Sequence, residues 1–163
     1  MKSKRILLTI FSLMVIASMM LVACGGGEKK PEAAPAQTPA PAPAATAAPI
    51  TGKTHVVQMV GDANGARFDP KTITIKAGDG IRFDVVSLPP HNVAFDPAKL
   101  SPEAKAALVA NMPEQALGEL SGKLLNAPGE SYTISFANVP PGTYEAFCTP
   151  HLAMNMRITI IVQ

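Results

Sequence analysis

A chain of 163 residues with 14 Lys and Arg, 12 Asp and Glu and a formal net charge of +2 has room for one domain of ordinary size or two very small ones. Tryptophan is absent, aromatics make up 5% of the residues, and no basic stripe or Arg cluster runs along the sequence, all of which argues against a nucleic-acid partner. No Ser/His/Asp set, paired acids or phosphate-binding loop stands out, so an enzyme is not expected.

Residues 1–23 read as a signal peptide: Lys2, Lys4 and Arg5 form a basic start, and an apolar run follows from Ile6 to Ala23. The run ends in Leu21-Val22-Ala23-Cys24, followed by three glycines. This tetrapeptide resembles the lipobox of bacterial lipoproteins, which implies a lipid on Cys24 as the first residue of the mature chain. An uncleaved membrane helix is the alternative, since the run is near the minimum length for spanning. Either way the remainder is expected outside the cytoplasm, held at the membrane and facing the periplasm or cell exterior. Residues 24–50 hold the lipid-attachment Cys and a linker of Pro, Ala, Gly and Thr that cannot form a core. At ~3.1 Å per residue it would reach at most ~80 Å.

Residues 51–163 are expected to form one domain. His55–Val60 alternates weakly and runs into a Gly61–Gly65 turn. Thr72–Lys76 has period 2, and Ile81–Val86 follows the Ala77–Gly80 turn. Leu88-Pro89-Pro90 breaks the pattern, His91–Phe95 resumes it, and Ser131–Phe136, Thr143–Phe147 and Met156–Val162 complete the strands. Short strands at this spacing, punctuated by Gly and Pro without strand–helix alternation, predict an antiparallel sandwich or barrel. In the excursion between strands, Ser101 as N-cap and Pro102 as first helical residue predict a short helix to about Ala110, with a second turn possible in Pro113–Leu120. Asp69, Asp79 and Asp84 read as turn or solvated strand residues, and His55 as a surface histidine.

The chemistry concentrates in Tyr144-Glu-Ala-Phe-Cys148-Thr-Pro-His151-Leu-Ala-Met154-Asn-Met156. If Cys24 carries lipid, Cys148 is a lone thiol in an oxidising compartment, which calls for a chemical role. A thiol, an imidazole and a thioether within nine positions, between two predicted strands, can turn onto one point. Soft sulfur ligands favour Cu(I) and imidazole also serves Cu(II), so two His, one Cys and a weak axial Met accept both oxidation states with little movement. The second imidazole is expected to be His91, which a rigid proline turn can aim at the loop. His55 lies early, near the linker.

Over essentially all of residues 54–163 the domain resembles the plastocyanins of the cupredoxin family. Leu88-Pro-Pro-His91-Asn92-Val-Ala-Phe-Asp96 is similar to the family's first ligand segment, Leu125-Asn-Ala-Pro-Gly-Glu130 to the turn before its next strand, and Cys148-x2-His151-x4-Met156 to its ligand loop. The resemblance implies an all-β, eight-stranded Greek-key sandwich with a short helical insertion. It implies a type 1 copper site of His91, Cys148, His151 and Met156, the family's spacing preferring Met156 over Met154 as axial ligand. Asn92 would hydrogen-bond near the thiolate, and the ring edge of His151 would be the electron port. Two departures are visible: Leu152-Ala153-Met154-Asn155 stands where the family has a small, Gly-containing stretch, and Phe147 stands where a Tyr commonly precedes the Cys.

The expected function is therefore a monomeric blue-copper shuttle moving single electrons between membrane redox complexes. Its donor would be a c-type cytochrome or a quinol-oxidising complex, and its acceptor a photosystem or terminal oxidase. Leu88, Pro89, Pro90, Leu152 and Ala153 would form an apolar rim around His151 for brief docking. The alternative is a periplasmic copper chaperone or storage protein, which needs no constrained thiolate.

Overall fold

In the computed structural model of the protein, residues 47–163 are described. The predicted signal segment, Cys24 and the linker up to residue 46 lie outside them. The described residues form eight strands in two four-stranded sheets, with one α-helix. Strands β1 (Thr54–Asp62), β2 (Gly65–Asp69), β4 (Gly80–Val85) and β6 (Ser131–Ser135) lie in the order β2-β1-β4-β6. Strands β3 (Thr72–Ile75), β5 (Ala94–Phe95), β7 (Gly142–Phe147) and β8 (Arg157–Val162) lie in the order β3-β8-β7-β5. The β1–β4 and β3–β8 pairs are parallel and the others antiparallel.

Alternation decides which faces meet. In β8, Ile158, Ile160 and Val162 are buried, whereas Arg157, Thr159 and Ile161 are only partly covered. β4 buries Ile81, Phe83 and Val85 in the same manner. A period of two puts each such set on one side of its sheet, and both sides close over a single core. Phe68 and Phe83 meet edge to face there, 5.8 Å between ring centroids.

Helix α1 (Pro102–Asn111) begins where its capping residues predict: the Ser101 hydroxyl accepts from the Ala104 N–H at 3.2 Å, with Pro102 in the first turn. Ala104, Leu108 and Asn111 are its buried face. Three sequence expectations need correction. No helical turn forms in Pro113–Leu120, where Glu114 and Leu120 have φ of 45° and 61°. Instead the Gln115 side chain donates to the Val109 and Met112 carbonyls and accepts from the Leu120 N–H. The expected strand His91–Phe95 shrinks to β5, with His91 held only by a bridge to Leu125. β2 was not predicted, because in Gly-Ala-Arg-Phe-Asp only Ala66 and Phe68 carry the alternation.

β1 and β4 run side by side in the same direction, as β7 and β8 run in opposite ones. One pole therefore gathers the Gly78–Gly80 turn, the start of β1, the start of β7 and the end of β8. The other gathers the residues after β4 and after β7. Those two segments carry His91 and Cys148.

Candidate metal centre

His91 reaches the site from the segment after β4. Its backbone is fastened to Leu125 in both directions, N–H to O at 3.0 Å and O from N–H at 2.8 Å. Its Nε2 donates to the Ser87 carbonyl at 2.8 Å. That bond assigns the ring proton to Nε2 and leaves the Nδ1 lone pair as the free donor atom.

Cys148, His151 and Met156 come from the turn between β7 and β8. The turn is closed across its mouth by the Cys148 N–H to the Met156 carbonyl at 3.1 Å, and within it by the His151 N–H to the Cys148 carbonyl at 3.2 Å. The short 3-10 turn Leu152–Met154 ends at Asn155 in the left-handed region, φ 57°. Asn tolerates that conformation better than most side chains. The reversal leaves Met154 55% exposed and turns Met156 fully inward, at 0%.

The donor atoms of His91, Cys148 and His151 lie within 4.8 Å of one another, all three side chains buried. Cys148 Sγ is 3.7 Å from His91 Nδ1 and 3.5 Å from His151 Nδ1. The imidazole centroids are 4.7 Å apart. Metal–ligand bonds of about 2.0–2.1 Å to nitrogen and 2.3 Å to sulfur, splayed in a trigonal plane, separate N from S by about 3.7 Å. The cluster thus fits one metal ion held by two imidazoles and a thiolate. Among the described residues it is the one such grouping of His, Cys and acidic side chains.

The electrostatics also suit a metal. Burial pushes the Cys148 thiol up from its ordinary range, and backbone N–H groups of Asn92 and His151 pull against it. A positive ion would supply the missing stabilisation of the thiolate. His151 is held below the usual imidazole range, first by burial and then by the charge of His91, which keeps it available as a neutral donor. Asn92 ties the two ligand segments together: its Oδ1 accepts from the Thr149 N–H at 2.8 Å, and its Nδ2 donates to Thr149 Oγ1 and Ser121 Oγ at 3.3 and 3.2 Å. The expected rim is present in part, with Leu88, Pro90, Leu152 and Ala153 exposed and Pro89 half-buried.

Sequence reasoning missed two groups. Ser87 shares the segment of His91, but nothing in its identity marks it as an acceptor for the ring. Asp79 is buried instead of solvated: its carboxylate accepts from the Lys53 and Lys76 N–H groups and from His55 Nε2, at 2.8, 3.0 and 2.8 Å. His55 is correspondingly half-buried, hydrogen-bonded to that carboxylate at the pole away from the cluster.

Two imidazoles and a thiol converging at one end of a two-sheet sandwich define a cupredoxin-type metal centre. The family model for copper binding proteins, plastocyanin/azurin family, matches residues 55–163, and the chain belongs to that family. It is 38% identical to a plastocyanin of Nostoc punctiforme over 114 residues, covering 69% of this chain and 76% of the relative. It is 36% identical to one from a Synechococcus strain, covering 70% and 76%. The solved structure of oxidised plastocyanin from the fern Dryopteris crassirhizoma matches with a TM-score of 0.52 and 33% identity, over 67% of this chain and all of that one.

Proposed function

We propose that the protein carries single electrons between membrane redox complexes, with copper bound by His91, Cys148, His151 and Met156. Copper in such a site alternates between Cu(I) and Cu(II). The observation that carries this reading is the buried cluster of two imidazole nitrogens and one thiol sulfur at trigonal spacing, fixed by hydrogen bonds of its own backbone. Copper-dependent electron transfer suits this donor set, because a site acceptable to both valences needs little rearrangement. His91 is locked by Ser87, the turn from Cys148 to Met156 closes on itself, and Asn92 joins the two.

The inward Met156, against the exposed Met154, supports the former as the fourth ligand. His151 is buried to 8% exposure, whereas Leu88 and Leu152 are 46% and 41% exposed. An apolar rim with a nearly covered imidazole fits a partner that docks over a small area and leaves quickly. The donor would be a c-type cytochrome or quinol-oxidising complex, and the acceptor a photosystem or terminal oxidase. Lipid on Cys24 and the linker to residue 50 would hold the domain of residues 51–163 near such complexes outside the cytoplasm and raise its effective concentration there. A carrier of this kind has no substrate site, and the protein is read as an electron carrier and not as an enzyme.

The test is transfer kinetics with a soluble c-type cytochrome. Leu152→Glu should slow transfer about tenfold or more, a cost of 1.4 kcal/mol in docking, while the visible spectrum stays as it is. Unchanged kinetics would remove the rim from the electron route.

A further inference from the structure

We propose that the Ser87 side chain is a positioning residue for the metal centre: it clamps the end of β4 to Gly61 of β1 and thereby sets the ring of His91. The inference rests on the reading of His91 as a ligand.

β1 and β4 pair in register from Thr54–Gly80 to Met59–Val85, and two further bonds join the Val86 and Ser87 N–H groups to the Met59 carbonyl at 2.9 and 3.4 Å. Beyond that point β4 turns away toward the proline segment. Backbone groups two residues apart in a strand face the same neighbour, so Gly61 presents its N–H and C=O toward the place β4 has left. The Ser87 hydroxyl takes both. It accepts from the Gly61 N–H at 2.9 Å and donates to the Gly61 carbonyl at 2.7 Å. One hydroxyl stands in for two missing ladder bonds.

The same residue offers its own carbonyl to His91 Nε2. A rigid residue 87 therefore means a rigid acceptor, and a rigid acceptor fixes both the tautomer and the rotation of the imidazole. The next residue reinforces the clamp. Leu88 has φ of 56° and lies directly over Gly61, where a Cβ would stand 2.2 Å from Leu88 Cβ and 2.5 Å from its Cδ2. Gly61 is therefore needed for close approach, and any side chain there would lift the segment that holds His91.

The readout is hydrogen exchange of the His91 Nε2 proton in the Cu(I)-loaded protein, followed by nitrogen-15 NMR. The Leu125 N–H, which bonds the His91 carbonyl, serves as internal reference. Ser87→Ala should speed exchange of the ring proton at least tenfold while the reference changes little, and Ser87→Thr, which keeps the hydroxyl, should restore protection. Gly61→Ala should act in the same direction as S87A. If S87A lowers stability yet leaves ring-proton exchange at the wild-type rate, or speeds ring and reference equally, Ser87 merely closes the strand and the proposal is overturned. Should S87A not fold, Ser87→Cys gives the same comparison with a weaker donor. A failure of the ligand reading would look different: the wild-type protein itself would take up copper without the His91 nitrogen resonances responding.

Discussion

At the residue scale the site turns on which sulfur and which nitrogen face inward. Cys148 and His151 were legible in the sequence because one short loop carries a thiol and an imidazole that can turn onto one point, and the fold brings both together with His91. The choice between Met154 and Met156 depends on Asn155, whose left-handed backbone sends one thioether out and brings the other in. Met156→Leu should keep the blue colour and raise the reduction potential, because weaker axial donation favours Cu(I). Met154→Leu should leave the potential where it is. Voltammetry of the two variants decides, and a shift confined to Met154→Leu would reverse the assignment. Ser87 was not legible. Its partner Gly61 lies 26 positions away and contributes only backbone atoms, which no side-chain pattern advertises.

At the scale of elements, the strands were readable wherever alternation was strong, as in β4, β6 and β8. They were unreadable where one apolar residue had to carry the signal, as Phe68 does in β2. Asp79 shows a different limit. From the sequence, Ala-Gly-Asp-Gly is a solvated turn. In the fold its carboxylate gathers the Lys53 and Lys76 N–H groups and His55, joining the start of β1 to the turn between β3 and β4. These bonds lower its pKa from 3.8 to about 2, the Lys76 N–H contributing most. A carboxylate with a depressed folded pKa adds stability that is complete above its unfolded value and lost as pH falls toward the folded one. The apo-protein should therefore lose about 1–2 kcal/mol between pH 4 and pH 2 through this group, a figure reduced for the solvent near that pole. Asp79→Asn should lower stability at pH 7 and flatten that part of the acid limb in urea titrations. An acid limb identical to wild type would show that the cluster does not anchor the turn.

At the scale of the molecule, the fold sets its two poles apart by the length of its strands. Six-residue β4 spans roughly 20 Å at ~3.3 Å per residue. At its start the chain N-terminal to β1 is seated on the body: the Thr51 and Gly52 N–H groups donate to the Gly78 carbonyl, the Ala48 N–H donates to Asn111, and Ile50 covers Gly80. Beyond its end lie His91 and the loop of Cys148. Residues 48–52 are thus seated at the pole away from the cluster of His91, Cys148 and His151.

The most direct test of the whole account is titration of the apo-protein with Cu(II), followed by visible and paramagnetic-resonance spectra, with Cys148→Ser alongside. An intense blue band should grow to saturation at one equivalent in the wild type, with the narrow copper splitting of a thiolate-bound site, and should be missing from the variant. Colourless uptake, or the same spectrum with and without the thiol, would contradict a redox centre built on Cys148 and favour copper storage or delivery instead.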